Sequence, residues 1–298
     1  MTLWQDDTSR NRHIGIALLS LATLSFSALD STVKWLLLGL PLGMVVWLRF
    51  LTHAVLSAGL LWPHYGRDIF RVHSWRLQGL RALFLTTQTL CNFWAIQYLQ
   101  LTETAAILFS SPLIVALISH FWLGQRLRGL QWGAIALGFV GVLAVVRPGA
   151  GLVHPAILLQ VVNACLFAGF GLLTRHMART ENAAAMQWFS AAVPAVLLTP
   201  LGLSQWQTPQ TALQWAVILG TGLWGGMGHY LWARAHQYAP AVALAPFGYQ
   251  QLLYMTAWGW LLFAQIPAPA VVLGAGLIVA SGLFLLWEQQ RQDLVPTA

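Results

Sequence analysis

The residues AIQYLQLTETAA, positions 95–106, align with AHQYAPAVALAP, positions 235–246, so that Gln97 meets Gln237, Tyr98 meets Tyr238 and Ala105 meets Ala245. The same offset carries Gln125 onto Gln265, and with one residue inserted Gly133 meets Gly274 and Gly141 meets Gly282. Apolar segments match by chance, but one common offset over three successive helices points to an internal duplication. It maps helices 3 to 5 of the chain onto helices 8 to 10. A five-helix unit is odd, so its copy must lie upside down relative to the first. Inverted repeats of this kind mark secondary transporters, whose site lies near the membrane midplane between the halves.

Composition sets the frame for that repeat. Of 298 residues 58% are hydrophobic and only 8% charged, against about 25% charged in soluble domains. Apolar runs fall near 13–37, 41–62, 76–97, 101–122, 128–146, 153–174, 183–203, 211–233, 241–263 and 268–287. Each is close to the length of about 20 residues that a spanning helix needs. The expectation is an all-α membrane protein of ten transmembrane helices, with residues 1–148 as the first five-helix repeat and 149–298 as the second. The residues left over suffice for tails and connections, which excludes an attached catalytic or ATPase domain. Continuous rather than alternating apolar runs exclude a β-barrel. The first run follows Arg10, Arg12 and His13, as a signal peptide would, yet it reaches Lys34 and is expected to be retained.

The net charge is +7. With the N-terminus inside, most arginines, from Arg10 and Arg12 through Arg67, Arg71, Arg76, Arg126, Arg128, Arg175, Arg179 and Arg234 to Arg291, fall in cytoplasmic segments, with Arg81 one turn into helix 3. Lys34 and Arg147 remain outside and Arg49 lies within helix 2. This asymmetry predicts both termini in the cytoplasm of a bacterial inner-membrane protein. Arginines scattered as helix-end anchors in the lipid bilayer argue against nucleic acid as a partner. Cys91 and Cys165 lie in apolar runs and read as packing thiols. GxxxxGK[ST], HExxH and GxSxG are absent, so neither catalytic residues nor a metal or cofactor site is expected.

Several stretches together resemble the drug/metabolite transporter superfamily, and within it the ten-helix EamA-type transporters: LDSTVKWLL (29–37), PLGMVVWLRF (41–50), AIQYLQLTETAAILFSSPLIVALISHFWLGQRL (95–127) and WGAIALGFVGVLAVV (132–146). The resemblance covers essentially the whole chain, the second half more loosely. It implies a basket of helices around a cavity lined by helices 1, 3, 4, 6, 8 and 9, and a function in exporting amino acids, aromatic ones included, or other small metabolites. A subgroup that imports or exchanges S-adenosylmethionine or riboflavin has a similar first helix. The family usually has Glu after the LG of helix 4; here Gln125 stands there, with Gln265 at the repeat position.

Ionisable residues inside a span are costly and tend to be paired or functional. Asp30 and Arg49 are expected about 10–12 Å deep at 1.5 Å per residue, either as a static pair or as part of an external gate, with Lys34 a second partner for Asp30 and His53 a possible extension. Glu103 is placed to favour the N-terminus of helix 4, with Thr102 as a cap, and is a further gate or coupling candidate. For the small-molecule substrate, the polar residues on the expected cavity helices are Ser27 and Ser31, Gln88 and Asn92, Ser110 and Ser111, Asn163, and Tyr249 with Gln250 and Gln251. Phe167 and Trp224 offer an aromatic wall and His229 a titratable contact. Interhelical hydrogen bonding is the alternative role for each of these polar groups. Pro112 and Pro246 are expected to kink helices 4 and 9 as hinges. The glycines of GTGLWGGMGHY (220–230), together with Gly129, Gly133, Gly274, Gly276 and Gly282, are expected to serve close packing, or contacts in a homodimer.

Overall fold

The computed structural model describes residues 8–122, 127–146, 154–177, 180–239 and 241–293. Arg126, Arg147, Arg179 and Gln125 lie outside the described residues. All described secondary structure is helical: α1 (Ser9–Leu36), α2 (Leu42–Tyr65), a 3₁₀ turn (Gly66–Phe70), α3 (Trp75–Ile96), α4 (Leu101–Leu108), α5 (Ser111–Trp122), α6 (Gly129–Val146), α7 (Ala156–Met177), α8 (Ala183–Leu197), α9 (Thr199–Ser204), α10 (Ala212–Tyr238), α11 (Ala241–Gly248), α12 (Gln250–Phe263) and α13 (Pro269–Asp293). Helix starts follow capping chemistry: Thr8, Ser74, Asn182 and Thr211 each accept a backbone N–H of the first turn. At α4 the N-cap is Gln100, whose N–H donates to the Glu103 carboxylate at 3.0 Å. Thr102 is therefore inside the helix and not its cap; its hydroxyl donates to Thr256 on α12 instead.

Among the described residues, six stretches are long and apolar enough to cross a membrane: Ser9–Leu36, Leu42–Phe70, Leu101–Trp122, Gly129–Val146, Ala156–Met177 and Pro269–Glu288. The others fall short for visible reasons. α3 carries Gln78, Arg81, Gln88 and Asn92, α10 carries a glycine run with three basic side chains, α8 is short, and α11 and α12 are interrupted at Tyr249.

The stretches 101–122 and 241–263, expected as single kinked helices, are each split in two. The first breaks at Phe109 and Ser110, and Pro112 sits in the first turn of α5 rather than in a helix interior. There its missing N–H leaves no hydrogen bond unmade, and Ser110 O accepts from Leu113 and Ile114 instead. The second breaks at Tyr249, three residues after Pro246 in α11. Phe109 and Tyr249 correspond in the repeat, and their rings touch, with centroids 5.0 Å apart.

The two ends of the bundle differ. Where α1 and α3 end and α2, α4 and α10 begin, Val33, Leu36, Met44, Phe50, Phe93, Ile96, Leu101 and Ile218 belong to the largest apolar cluster. Polar contacts reinforce this sealed end. Lys34 donates to the carbonyls of Ile96 and Leu99, Gln205 accepts from Gly43 N–H at 2.8 Å, and Gln265 accepts from Leu101 N–H at 3.2 Å. Lys34 is thus a cap for the C-terminal carbonyls of α3, where the helix dipole favours a cation, and not a partner of Asp30.

α12 ends at Ala264, the one described non-glycine residue with positive φ, at 51°. A Cβ in this left-handed conformation costs about 1–2 kcal/mol, partly offset by the greater freedom of glycine in the unfolded chain. Ala264→Gly is expected to raise thermal stability in detergent, by up to about 1 kcal/mol; a lowered melting temperature would contradict the assigned turn.

Several outward-facing residues differ from expectation. Cys165, read as a packing thiol, is exposed on the bundle surface, because the helix face that carries it turns away from the core. Gly129, Gly133 and Gly276 have open space where a side chain would be and make no close helix contact, whereas Gly141 and Gly274 pack against each other's backbone. Arg81 is a buried cation rather than an interfacial anchor.

Candidate functional site

A cavity of about 420 Å³ lies inside the bundle, within the range of about 300–1,000 Å³ usual for small-molecule sites. Along α1 its lining runs from Asp30 to Leu19, a distance of about 16 Å at 1.5 Å per residue. Asp30, Arg49 and Phe93 lie at its deep end, against the sealed core; Trp232, His236 and Leu286 line the opposite end, where Trp232 is exposed.

The polar wall is built across helices. Asn92 on α3 donates to the Asp30 carboxylate on α1 at 3.0 Å, and Asn163 on α7 donates to the Asn92 carbonyl at 3.5 Å. Arg49 on α2 is only 2% exposed, and its guanidinium lies 4.1 Å from the centroid of the Phe50 ring. No ion pair within 4 Å joins Arg49 to Asp30 among the described residues, although both line the cavity, and Arg49 Nε and Nη1 have no hydrogen-bond partner. The expected direct pair is therefore replaced by an Asp30–Asn92–Asn163 chain and a guanidinium with two unbonded nitrogens. Glycine makes room for it: a Cβ at Gly225 on α10 would lie 3.2 Å from Arg49 Nη2.

Below Arg49, His53 stacks on His229 with centroids 5.8 Å apart and planes at 5°, and Gln187 donates to His53 Nε2 at 3.3 Å. Phe26 packs edge-on against His229. Phe26, Phe109, Phe167 and Tyr249 supply aromatic surface to the cavity, and Gln88 Oε1 and the Tyr249 hydroxyl are buried without partners.

Of the residues singled out in the sequence, Asp30, Arg49, Gln88, Asn92, Ser111, Pro112, Asn163, Phe167, His229, Tyr249 and Gln251 line this cavity. Ser27, Ser31 and Ser110 do not; their hydroxyls donate to carbonyls of Leu24, Ser27 and Ile107 in their own chain segments. Trp224 and Ser31 line a separate apolar crevice between α1, α10 and α12. Gln250 lies one position out of register and accepts from the Tyr254 hydroxyl. Lys34, Glu103 and Pro246 are not among the lining residues; Lys34 and Glu103 belong to the sealed end.

Sequence reasoning missed Phe26, Thr89, Phe109, Trp232 and His236 as lining residues, and it missed Arg81 and Gln160 as buried cross-links. Phe109 was signalled by its repeat position opposite Tyr249. Arg81 shares a three-to-four-residue spacing with Gln78, Leu85, Gln88 and Asn92, which marks one inward face of α3. Its guanidinium donates to Thr174, Ser190 and Met186 O. Gln160 likewise precedes Asn163 and Phe167 by three and seven residues on one face of α7; it is fully buried and donates to Thr104 O at 2.8 Å.

The arrangement has recognisable relatives. The EamA-like transporter family matches the chain twice, over residues 13–147 and 154–287. An S-adenosylmethionine uptake transporter of Rickettsia bellii is 25% identical over 96% of this chain and 98% of its own. A riboflavin transporter of Vibrio cholerae is 26% identical over 91% and 92%, and the pseudopaline exporter CntI of Pseudomonas aeruginosa 24% over 91% and 95%. A solved crystal structure superposes with a TM-score of 0.65 at 16% identity, covering 96% of this chain and 99% of that one, which shows a shared fold. The helical bundle surrounds a largely apolar cavity with one polar wall, and one transporter family matches the chain in both halves: the chain belongs to the EamA-like transporters of the drug/metabolite transporter superfamily.

Proposed function

We propose that the protein is a secondary transporter of ten spans in two inverted five-helix repeats, 1–148 and 149–298, with both termini in the cytoplasm. In this reading it moves small metabolites, amino acids foremost and aromatic ones included, out across a bacterial inner membrane. The observation that carries it is the pair of opposite charges at the deep end of one cavity, not ion-paired with each other, with Arg49 Nε and Nη1 lacking hydrogen-bond partners. A substrate carboxylate suits Arg49, which lines the cavity and can make a charge-assisted hydrogen bond, and an ammonium group suits Asp30. Phe26, Phe109 and Phe167 suit an apolar or aromatic body. With the N-terminus inside, the sealed end faces outward and the cavity faces the cytoplasm, so this is the inward-facing state of an alternating-access cycle. Lys34 and the Glu103 cap then belong to the outer gate.

The relatives favour a second reading with the same cavity, namely uptake or exchange of a larger metabolite such as S-adenosylmethionine or riboflavin.

Counterflow in proteoliposomes tests both. Vesicles are loaded with one unlabelled compound at a time and a labelled pool is added outside. Labelled uptake that depends on internal amino acid is the expected result. Exchange with S-adenosylmethionine or riboflavin but with no amino acid overturns the first reading in favour of the second.

A further inference from the structure

Phe109 corresponds to Tyr249 in the repeat, and Gly141 to Gly282, so a strict twofold arrangement would give the two rings the same surroundings. They differ. The Tyr249 hydroxyl occupies the bare face of Gly282 on α13, where an added methyl group would overlap it. The bare face of Gly141 is covered by α13 instead: a Cβ there would lie 2.7 Å from Gly274 O and 3.0 Å from Ile278 Cγ1. Phe109 packs in the cluster of Ala106, Val145, Val271 and Ile278. Each ring marks the break in its helix, both line the cavity, and they touch each other.

In an inverted-repeat carrier the halves trade roles between the two access states. We propose that the Tyr249 ring seated against Gly282 is the lock of the state described here, and that Phe109 seated against Gly141 is the lock of the opposite state. This rests on the transport reading above. α13 covers the Gly141 seat only while it lies on α6 at Gly274. Phe109 enters when those helices part, and its contact with Tyr249 makes the two seatings alternate.

The test uses the full chain with Cys91→Ala and Cys165→Ala as background, and two reporters on α1: Thr23→Cys, which lines the open end of the cavity, and Val33→Cys, buried in the sealed core. A membrane-impermeant maleimide is applied from each side of oriented vesicles. Gly282→Ala expels the Tyr249 hydroxyl, and labelling at position 33 is expected to rise about tenfold while labelling at 23 falls, the signature of a population shift. Adding Tyr249→Phe to Gly282→Ala is expected to reverse both changes. Tyr249→Ala empties the seat without crowding α13 and is expected to move both labels as Gly282→Ala does. Unmoved labels in Tyr249→Ala, or a Gly282→Ala effect that Tyr249→Phe does not reverse, overturn the lock. Counterflow by the cysteine-free parent in the same vesicles separates the two ideas. Absent flux there sinks the transport reading, and flux with unmoved labels sinks the lock alone.

Discussion

Arg49→Met is expected to reduce counterflow by about 10- to 100-fold while leaving the protein at least as stable as the parent. The first part follows from the bonds the guanidinium is free to make. A hydrogen bond to a charged group contributes about 1.5–3 kcal/mol, and each 1.4 kcal/mol is about tenfold in affinity. The second part follows from what Arg49 costs when the site is empty. It is buried, unpaired with Asp30, and lacks partners at two of its nitrogens, so replacing it with an apolar side chain of similar length removes a desolvation penalty. Methionine keeps a flexible stem against Phe50 and next to Gly225. Binding and counterflow are measured beside thermal unfolding in detergent. A variant that loses stability together with flux would show that Arg49 holds the helices together. Undiminished flux would remove it from the site.

Gly222→Leu is expected to prevent α10 from packing on α2 and to leave little folded protein. An added Cβ at position 222 would overlap the Thr52 hydroxyl and lie 2.7 Å from the backbone nitrogen of His53. Thr52 has no room to yield, since its hydroxyl is bonded to Leu48 O at 2.7 Å within its own helix. Overpacking of this kind costs about 1–3 kcal/mol for a few added carbons, and here the obstacle includes backbone. Gly222→Ala is the milder form, with a lowered melting temperature. Gly276→Ala, which meets open space, is expected to be neutral or to stabilise by up to about 1 kcal/mol through helix propensity. If Gly222→Leu melts like the parent, the close contact between α10 and α2 is wrong.

These outcomes separate what was legible in the residues from what was not. The apolar runs are visible because a bilayer demands long stretches without charge, and six of them stand out again as apolar helices in the structure. The duplication is visible because corresponding positions keep their spacing, as with Gln97 and Gln237. Asp30, Arg49, Gln88, Asn92, Asn163 and Tyr249 could be picked out as site residues because polar groups in apolar runs need partners or ligands, and all six line one cavity.

Periodicity could not show which polar groups were already satisfied. Ser27, Ser31 and Ser110 spend their hydroxyls on carbonyls of their own helices, a local choice that leaves no trace in spacing. Lys34 and Asp30 stand one turn apart, yet the ammonium turns to the carbonyls of Ile96 and Leu99, which reach it only once α3 has packed on α1.

By itself, then, the chain's order of residues determined an all-helical membrane protein with a repeated unit and a small set of intramembrane polar groups, because hydrophobic length and spacing are properties of a linear string. Only the tertiary structure decided that Asn92 stands between Asp30 and Asn163, that Arg49 is left without partners at Nε and Nη1, that helices break at Phe109 and Tyr249 rather than bend at prolines, and that one end is sealed. Each depends on the distance between segments far apart in the chain, and helix packing sets that distance.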